Sequence, residues 1–263
     1  MYLRAIHAEN SLQALQSFIK QNPLGIFTTA IPPSSPEHST HTIQSSHIPF
    51  VLDIPNDSSP TNPGVLRGHM ARANPQAKLL IDAASSKNGM ELPHEVQVLF
   101  NGPYHHYVTP KFYTATKPET GKVVPTWNYS AVQAHGKVKV FWDSKAEETS
   151  RYLQTQVEDL TKLNEEIMGY STAPEDKGKA EGAWEVADAP DNYIEIMKKG
   201  IIGIEIRLES LGGKFKMSQE MPVGDREGVI AGFAALGSDV GNGISKTVKE
   251  RGGGMKDLEK QNS

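Results

Sequence analysis

Apolar residues in this chain come in short runs, and turn-forming residues cut nearly every run to the length of one strand. Glycine occurs 23 times and proline 17 times in 263 residues, and only 37% of the chain is hydrophobic. A helical bundle needs long stretches with a 3.6-residue period, and few are present. Short strands joined by long connections suit this pattern better. The clearest strand is Ile201-Ile202-Gly203-Ile204-Glu205-Ile206-Arg207-Leu208.

Further strands are expected at 24–31, 47–53, 65–70, 95–100, 104–108, 126–134, 137–142 and 214–217. The pair 126–134 and 137–142 is read as turning at His135-Gly136. Helices are expected after Asn10 or Ser11, from the turn at Arg72–Asn74, from Ser144, from Asp188 and over 225–236. Strands and helices are segregated rather than alternating, which predicts an α+β, mainly β architecture and not a doubly wound sheet. The expected organisation is one domain over 1–236, with a Pro/Ser/Thr/His loop insertion at 32–46. A Gly- and Lys-rich tail at 237–263 is expected to be disordered.

The formal net charge of −4 argues against direct nucleic-acid binding, which needs a basic face. The chain has no cysteine, which excludes thiolate nucleophiles, zinc ribbons and iron–sulfur clusters. Met1-Tyr2-Leu3-Arg4-Ala5 lacks the apolar run of a signal peptide, and no stretch approaches the length of a membrane span. A cytoplasmic location is the expectation.

Three stretches carry chemistry. In Leu66-Arg67-Gly68-His69-Met70-Ala71-Arg72-Ala73-Asn74-Pro75, a strand hands over to a helix. Arg67 and His69 share a strand face, Gly68 leaves room for close approach, and Arg72 and Asn74 fall at the helix start. Such a set suits a phosphate, and equally a surface turn with solvated arginines. Thr126-Trp127-Asn128-Tyr129 offers aromatic faces and an amide, for a core or for a flat heterocycle. Lys214-Phe215-Lys216-Met217-Ser218-Gln219 sets two lysines on one strand face, ahead of two hydrogen-bonding side chains. No P-loop, nucleophile elbow, H-E-x-x-H or dinucleotide-binding glycine pattern is present. His105 and His106 point to opposite strand faces and make a poor metal pair.

Together with Asn22-Pro23-Leu24-Gly25, His47-Ile48-Pro49-Phe50 and Val186-Ala187-Asp188-Ala189-Pro190, these blocks resemble the PaiB-like family. Its members are FMN-binding split β-barrels, often labelled negative transcriptional regulators. The resemblance spans about residues 1–235, and Phe112-Tyr113 replaces the family's usual Trp-Tyr. It implies a homodimeric split barrel with flanking helices and FMN at the dimer interface. By position, Arg67, Gly68, His69, Arg72 and Asn74 become phosphate and ribityl ligands. Trp127, Asn128 and Tyr129 would line the ring, and Lys214, Ser218 and Gln219 would approach from the partner chain. The expected activity is that of a flavin oxidoreductase with a nicotinamide donor, and no catalytic or metal-binding residue is assigned. The alternative is a flavin-loaded regulatory or interaction module without turnover. A third reading, haem binding or breakdown, rests on His105, His106 and His135.

Overall fold

The computed structural model describes residues 1–33, 41–55, 61–86 and 91–253. Its first elements are β1 (Ala8–Glu9), α1 (Leu12–Gln21), β2 (Leu24–Ala30), β3 (Ile43–Pro49), β4 (Val51–Asp53), β5 (Val65–Ala71) and α2 (Pro75–Ser85). Then come β6 (Glu91–Asn101), β7 (His106–Val108), α3 (Thr116–Thr120), β8 (Thr126–Phe141) and α4 (Glu147–Met168). The chain continues with α5 (Asp191–Lys199), β9 (Ile201–Lys216), α6 (Val223–Ala234) and α7 (Asp239–Gly253). The fold is α+β, built on a nine-stranded sheet whose resolved pairings are antiparallel. Among the described residues, no helix is long and apolar enough to cross a membrane.

The chain divides into two compact units, and the boundaries fall inside α1, β6, β8 and β9. The larger unit holds Ile19–Leu99 and Ala134–Leu211. Its sheet runs in the order β3-β2-β6-β8-β9-β5-β4. Alternation along β5 buries Leu66 and Met70, while Arg67 and His69 face the other way. Phe27, Phe50, Leu66, Leu79, Leu80, Ile202, Ile204 and Ile206 are among its fully buried side chains. The smaller unit holds Met1–Phe18, Phe100–Gln133 and Gly212–Ser263. There β1 pairs with the end of β9, and β7 with the start of β8.

Two long strands depart from the sequence-based expectation. The predicted turn at His135-Gly136 does not exist, and β8 runs through it unbroken. A Cβ at Gly136 would lie 2.2 Å from the Arg207 carbonyl oxygen, so glycine is there to let β9 approach. Likewise 201–208 and 214–217 are one strand, β9. Gly213 lies within it, and a Cβ there would meet Leu15 at 2.1 Å. Conversely, 47–53 breaks at Phe50, whose amide bonds the Pro23 carbonyl at 2.9 Å. The helix expected from Ser144 begins at Glu147, with no side-chain cap. Part of the 32–46 loop lies outside the described residues, and its end belongs to β3.

The expected tail is also revised. Residues 239–253 form α7, and Ile244 and Val248 enter a core with Val108, Tyr113, Met217, Val229 and Phe233. A glycine- and lysine-rich composition hid an apolar pair spaced i, i+4, which is enough to bury one face. Residues 254–263 lie outside the described residues. Ile244→Ala is expected to lower the unfolding free energy by about 2–5 kcal/mol. Urea titration checks this, and a variant as stable as the parent would mean that α7 contributes no packing.

Candidate functional site

In the larger unit, the first expected ligand set is built into the scaffold. The Arg67 guanidinium forks onto Asp53, donating from Nη2 to Oδ1 at 3.0 Å and from Nε to Oδ2. Nη2 also donates to Asp159 on α4 at 2.7 Å. Hydrogen bonding to Asp53 raises the pKa of Arg67; burial opposes this, and Asp159 adds to it. Two carboxylates on one guanidinium leave that cluster net negative, which disfavours a phosphate dianion there. A groove of about 500 Å³ beside it is lined by Asp53, Glu148 and Glu205 as well as Arg67, Lys139 and Arg151. It offers no net positive field.

Arg72 is similarly engaged. It donates to the main-chain carbonyls of Trp142 at 2.5 Å, Lys199 at 3.2 Å and Ile201 at 3.4 Å. These bonds staple the passage from α5 into β9. Asn74 caps α2, its Oδ1 accepting from the Gln76 amide at 2.8 Å, while Nδ2 donates to Ser46 at 2.9 Å. A Cβ at Gly68 would meet Ile48 and Phe50 at 3.0 Å, so this glycine makes room for the protein's own core. His69 keeps a buried Nδ1 without a partner, and burial lowers its pKa.

The smaller unit holds the second set. Trp127 is 49% exposed, with the His105 and His106 rings stacked near it at 6.3 Å and Tyr107 edge-on at 6.4 Å. Tyr129 shares its strand face. Asn128 points the opposite way and is fully buried, exchanging hydrogen bonds with Ser218 at 3.1–3.2 Å. Ser218 has φ 60°, a left-handed conformation that costs a non-glycine residue about 1 kcal/mol and is held here by that bond. Gln219 folds back on its own strand, accepting from the Met217 amide and donating to the Phe215 carbonyl.

Lys214 is the exception among these. It is 9% exposed, and its ammonium faces the rings of Tyr2 at 5.8 Å and Tyr129 at 5.3 Å. Among the described residues it has no hydrogen bond or ion pair. Lys216 donates to Thr126 and, at 3.0 Å, to the Trp127 carbonyl. Burial lowers its pKa; Glu220 works against this, while Lys214 and Arg4 push it further down. Its ammonium also lies 3.9 Å from the Glu220 carboxylate. Glu220 accepts from buried His7 at 2.9 Å. Burial alone would raise the carboxyl pKa, but the bonds and charges of His7 and Lys216 lower it. Tyr113, 3% exposed, has a hydroxyl with no partner, and burial raises its pKa.

Sequence reasoning named Lys214 but missed Tyr2, Arg4, His7 and Glu220. Alternation along β9 put Lys216 on the face of Lys214, whereas nothing in the sequence brings residues 2–7 to that strand.

Residues 1–210 match the family described as "Putative FMN-binding domain". The chain belongs to this family. FMN is the cofactor that membership brings, and a nine-tenths-buried lysine set between aromatic faces, with no anion on it among the described residues, fits a flat ring that carries an anionic group. Similar proteins include an uncharacterised protein of Aspergillus fumigatus, 60% identical over 98% of this chain and 99% of its own. Protein PAI 2 of Bacillus subtilis, a protease synthase and sporulation protein, is 24% identical over 88% of this chain and 87% of its own. Among solved structures, the flavocytochrome Anf3 of Azotobacter vinelandii aligns over 82% of this chain and 72% of that one, at 10% identity and TM-score 0.43. A conserved hypothetical protein of Mycobacterium tuberculosis aligns over 84% and 94%, at 10% identity and TM-score 0.46. Similarity at that level adds nothing to the family assignment.

His69 yields a pH signature. Its lowered folded pKa means that the unfolded chain binds more protons below the ordinary value of 6.5. Stability from neutral His69 is therefore complete above that pH and declines as pH falls toward the folded pKa. Urea titrations at about pH 7.5 and about pH 5.5 are expected to show a smaller loss for His69→Gln than for the parent. An equal loss in both would rule out this origin.

Proposed function

We propose that FMN lies on the face formed by Tyr2, Trp127, Tyr129, Lys214 and Lys216, and that the protein is a flavin oxidoreductase. The single observation that carries this is the ammonium of Lys214, buried against two aromatic rings with no anion to neutralise it. A buried charge without a partner is costly, and an anionic ligand removes that cost. Lys214, Lys216 and Arg4 would hold the phosphate or another electron-rich edge, while Trp127 and Tyr129 would cover the ring. Arg67, Arg72 and Asn74 would act as scaffold, fixing β5 and α2. Bound FMN supplies the redox chemistry, and the protein sets orientation, access and potential.

Exposed Trp127 and Tyr107 form an apolar patch of the kind that association covers, which supports a homodimer with the flavin between protomers. A reduced nicotinamide is the proposed electron donor. The name of the Bacillus relative supports a second reading, a flavin-loaded regulatory protein without turnover.

The test is an absorption spectrum from about 300 to about 600 nm, with FMN and then NADPH added anaerobically. Flavin bands that bleach support the oxidoreductase, and bands that persist favour the regulatory reading. Lys214→Ala is expected to weaken FMN binding at least tenfold, about 1.4 kcal/mol or more. Arg72→Ala should lower stability while leaving affinity within about twofold. The reverse pattern would return the phosphate to Arg72.

The lowered pKa of Lys216 adds a pH test. Its charge attracts the phosphate and is lost as pH rises through a value below the ordinary 10.5. FMN affinity should therefore fall at alkaline pH, and less steeply in Lys216→Met. Fluorescence titration across that range reads both.

A further inference from the structure

In the larger unit, α4 and the segment after it enclose a pocket of about 250 Å³ that the flavin reading does not use. Glu158, Thr161 and Lys162 form its floor on α4, with Glu158 one turn before the other two. The opposite wall is Thr172 with Ala183–Ala187, including Trp184 and Val186.

That wall is fastened. The Ser171 amide bonds the Glu181 carbonyl at 2.8 Å, and the Ala183 amide bonds the Ser171 carbonyl at 2.7 Å, closing the intervening loop. Thr172 donates to Glu166 at 3.1 Å, and the Trp184 amide donates to Glu165 at 3.0 Å. Glu185 is tied to Lys177 and joins a reciprocal cap with Asp188. The pocket is thus preorganised rather than a gap between loose segments.

Its floor is less satisfied. Glu158 and Lys162 stand at i, i+4 in the order that favours a helical ion pair, yet they do not form one. Glu158 accepts instead from Gln154 at 2.6 Å. Among the described residues, the Lys162 ammonium and the Thr161 hydroxyl have no partner. A carboxylate and an ammonium therefore lie one helical turn apart on the pocket floor, unpaired with one another, opposite an indole.

We propose that this pocket binds a free α-amino acid with an apolar side chain. The ligand carboxylate meets Lys162 and Thr161, the ligand ammonium meets Glu158, and the side chain packs on Trp184 and Val186. The volume suits a molecule of that size. Both charges are exposed, so a ligand with one charge leaves the other group to water and forgoes that contact.

Isothermal titration of the full-length protein with L-phenylalanine tests this, with phenylacetate and 2-phenylethylamine as single-charge analogues. L-Phenylalanine is expected to saturate, and each analogue to bind at least tenfold more weakly. Lys162→Gln, at an exposed helix position, should weaken L-phenylalanine at least tenfold and bring it level with 2-phenylethylamine. Phenylacetate binding as well as L-phenylalanine would overturn the role of Glu158. No saturation by about 10 mM, or an unchanged affinity in Lys162→Gln, would overturn the site. None of these residues belongs to the proposed flavin face, so failure here leaves that reading untouched.

Discussion

One guanidinium ties together three elements of the larger unit. Arg67 rises from β5, meets Asp53 on β4 and reaches Asp159 on α4. Its side chain is largely buried, so the pairing is screened little and geometry matters. The carboxylates keep partial access to water, which limits their desolvation penalty. Removing the arginine would leave two like charges facing each other across the sheet surface. The bond to Asp159 helps fix α4 over this end of the sheet, together with the Tyr152 hydroxyl on the Ile204 carbonyl at 2.6 Å and its ring stacked on Phe141.

This arrangement also explains what the sequence could and could not tell. Two arginines, a histidine and an asparagine at a strand-to-helix turn are the residues that a phosphate site would use. They are equally the residues that a fold uses to satisfy carboxylates, main-chain carbonyls and a helix start. Sequence spacing places Arg67 and His69 on one face correctly, but it cannot show that Asp53 and Asp159 arrive first. The architecture was legible because alternation and turn residues are local signals. The joins were less so: Gly136 marks a close approach of strands, yet in sequence it looks like a turn. The helix at 239–253 was missed because its apolar residues are few and its buried face is made by distant partners.

The two lysines of β9 show the converse case. Their alternation placed them on one strand face and said nothing of what covers it. Only the fold brings Tyr2, Arg4 and His7 beside them, leaving Lys214 buried and Lys216 half-buried. Burial and mutual repulsion lower the pKa of Lys216, and Lys214 is left with ring faces in place of a carboxylate. A site of this kind lies in the sum of fields and not in any motif.

The smaller unit draws together the first, a middle and the last part of the chain. Arg251 on the final helix bonds Glu9 at 2.6 Å and stacks on Phe215. A ribosome delivers residue 9 long before residue 251. The larger unit is complete in sequence once residue 211 has emerged, whereas the smaller one stays open until residue 251 has followed. The aromatic and basic face waits for Lys214 and Lys216, so it is assembled only after the larger unit has its full sequence, and on the proposed flavin reading cofactor capture there comes later still.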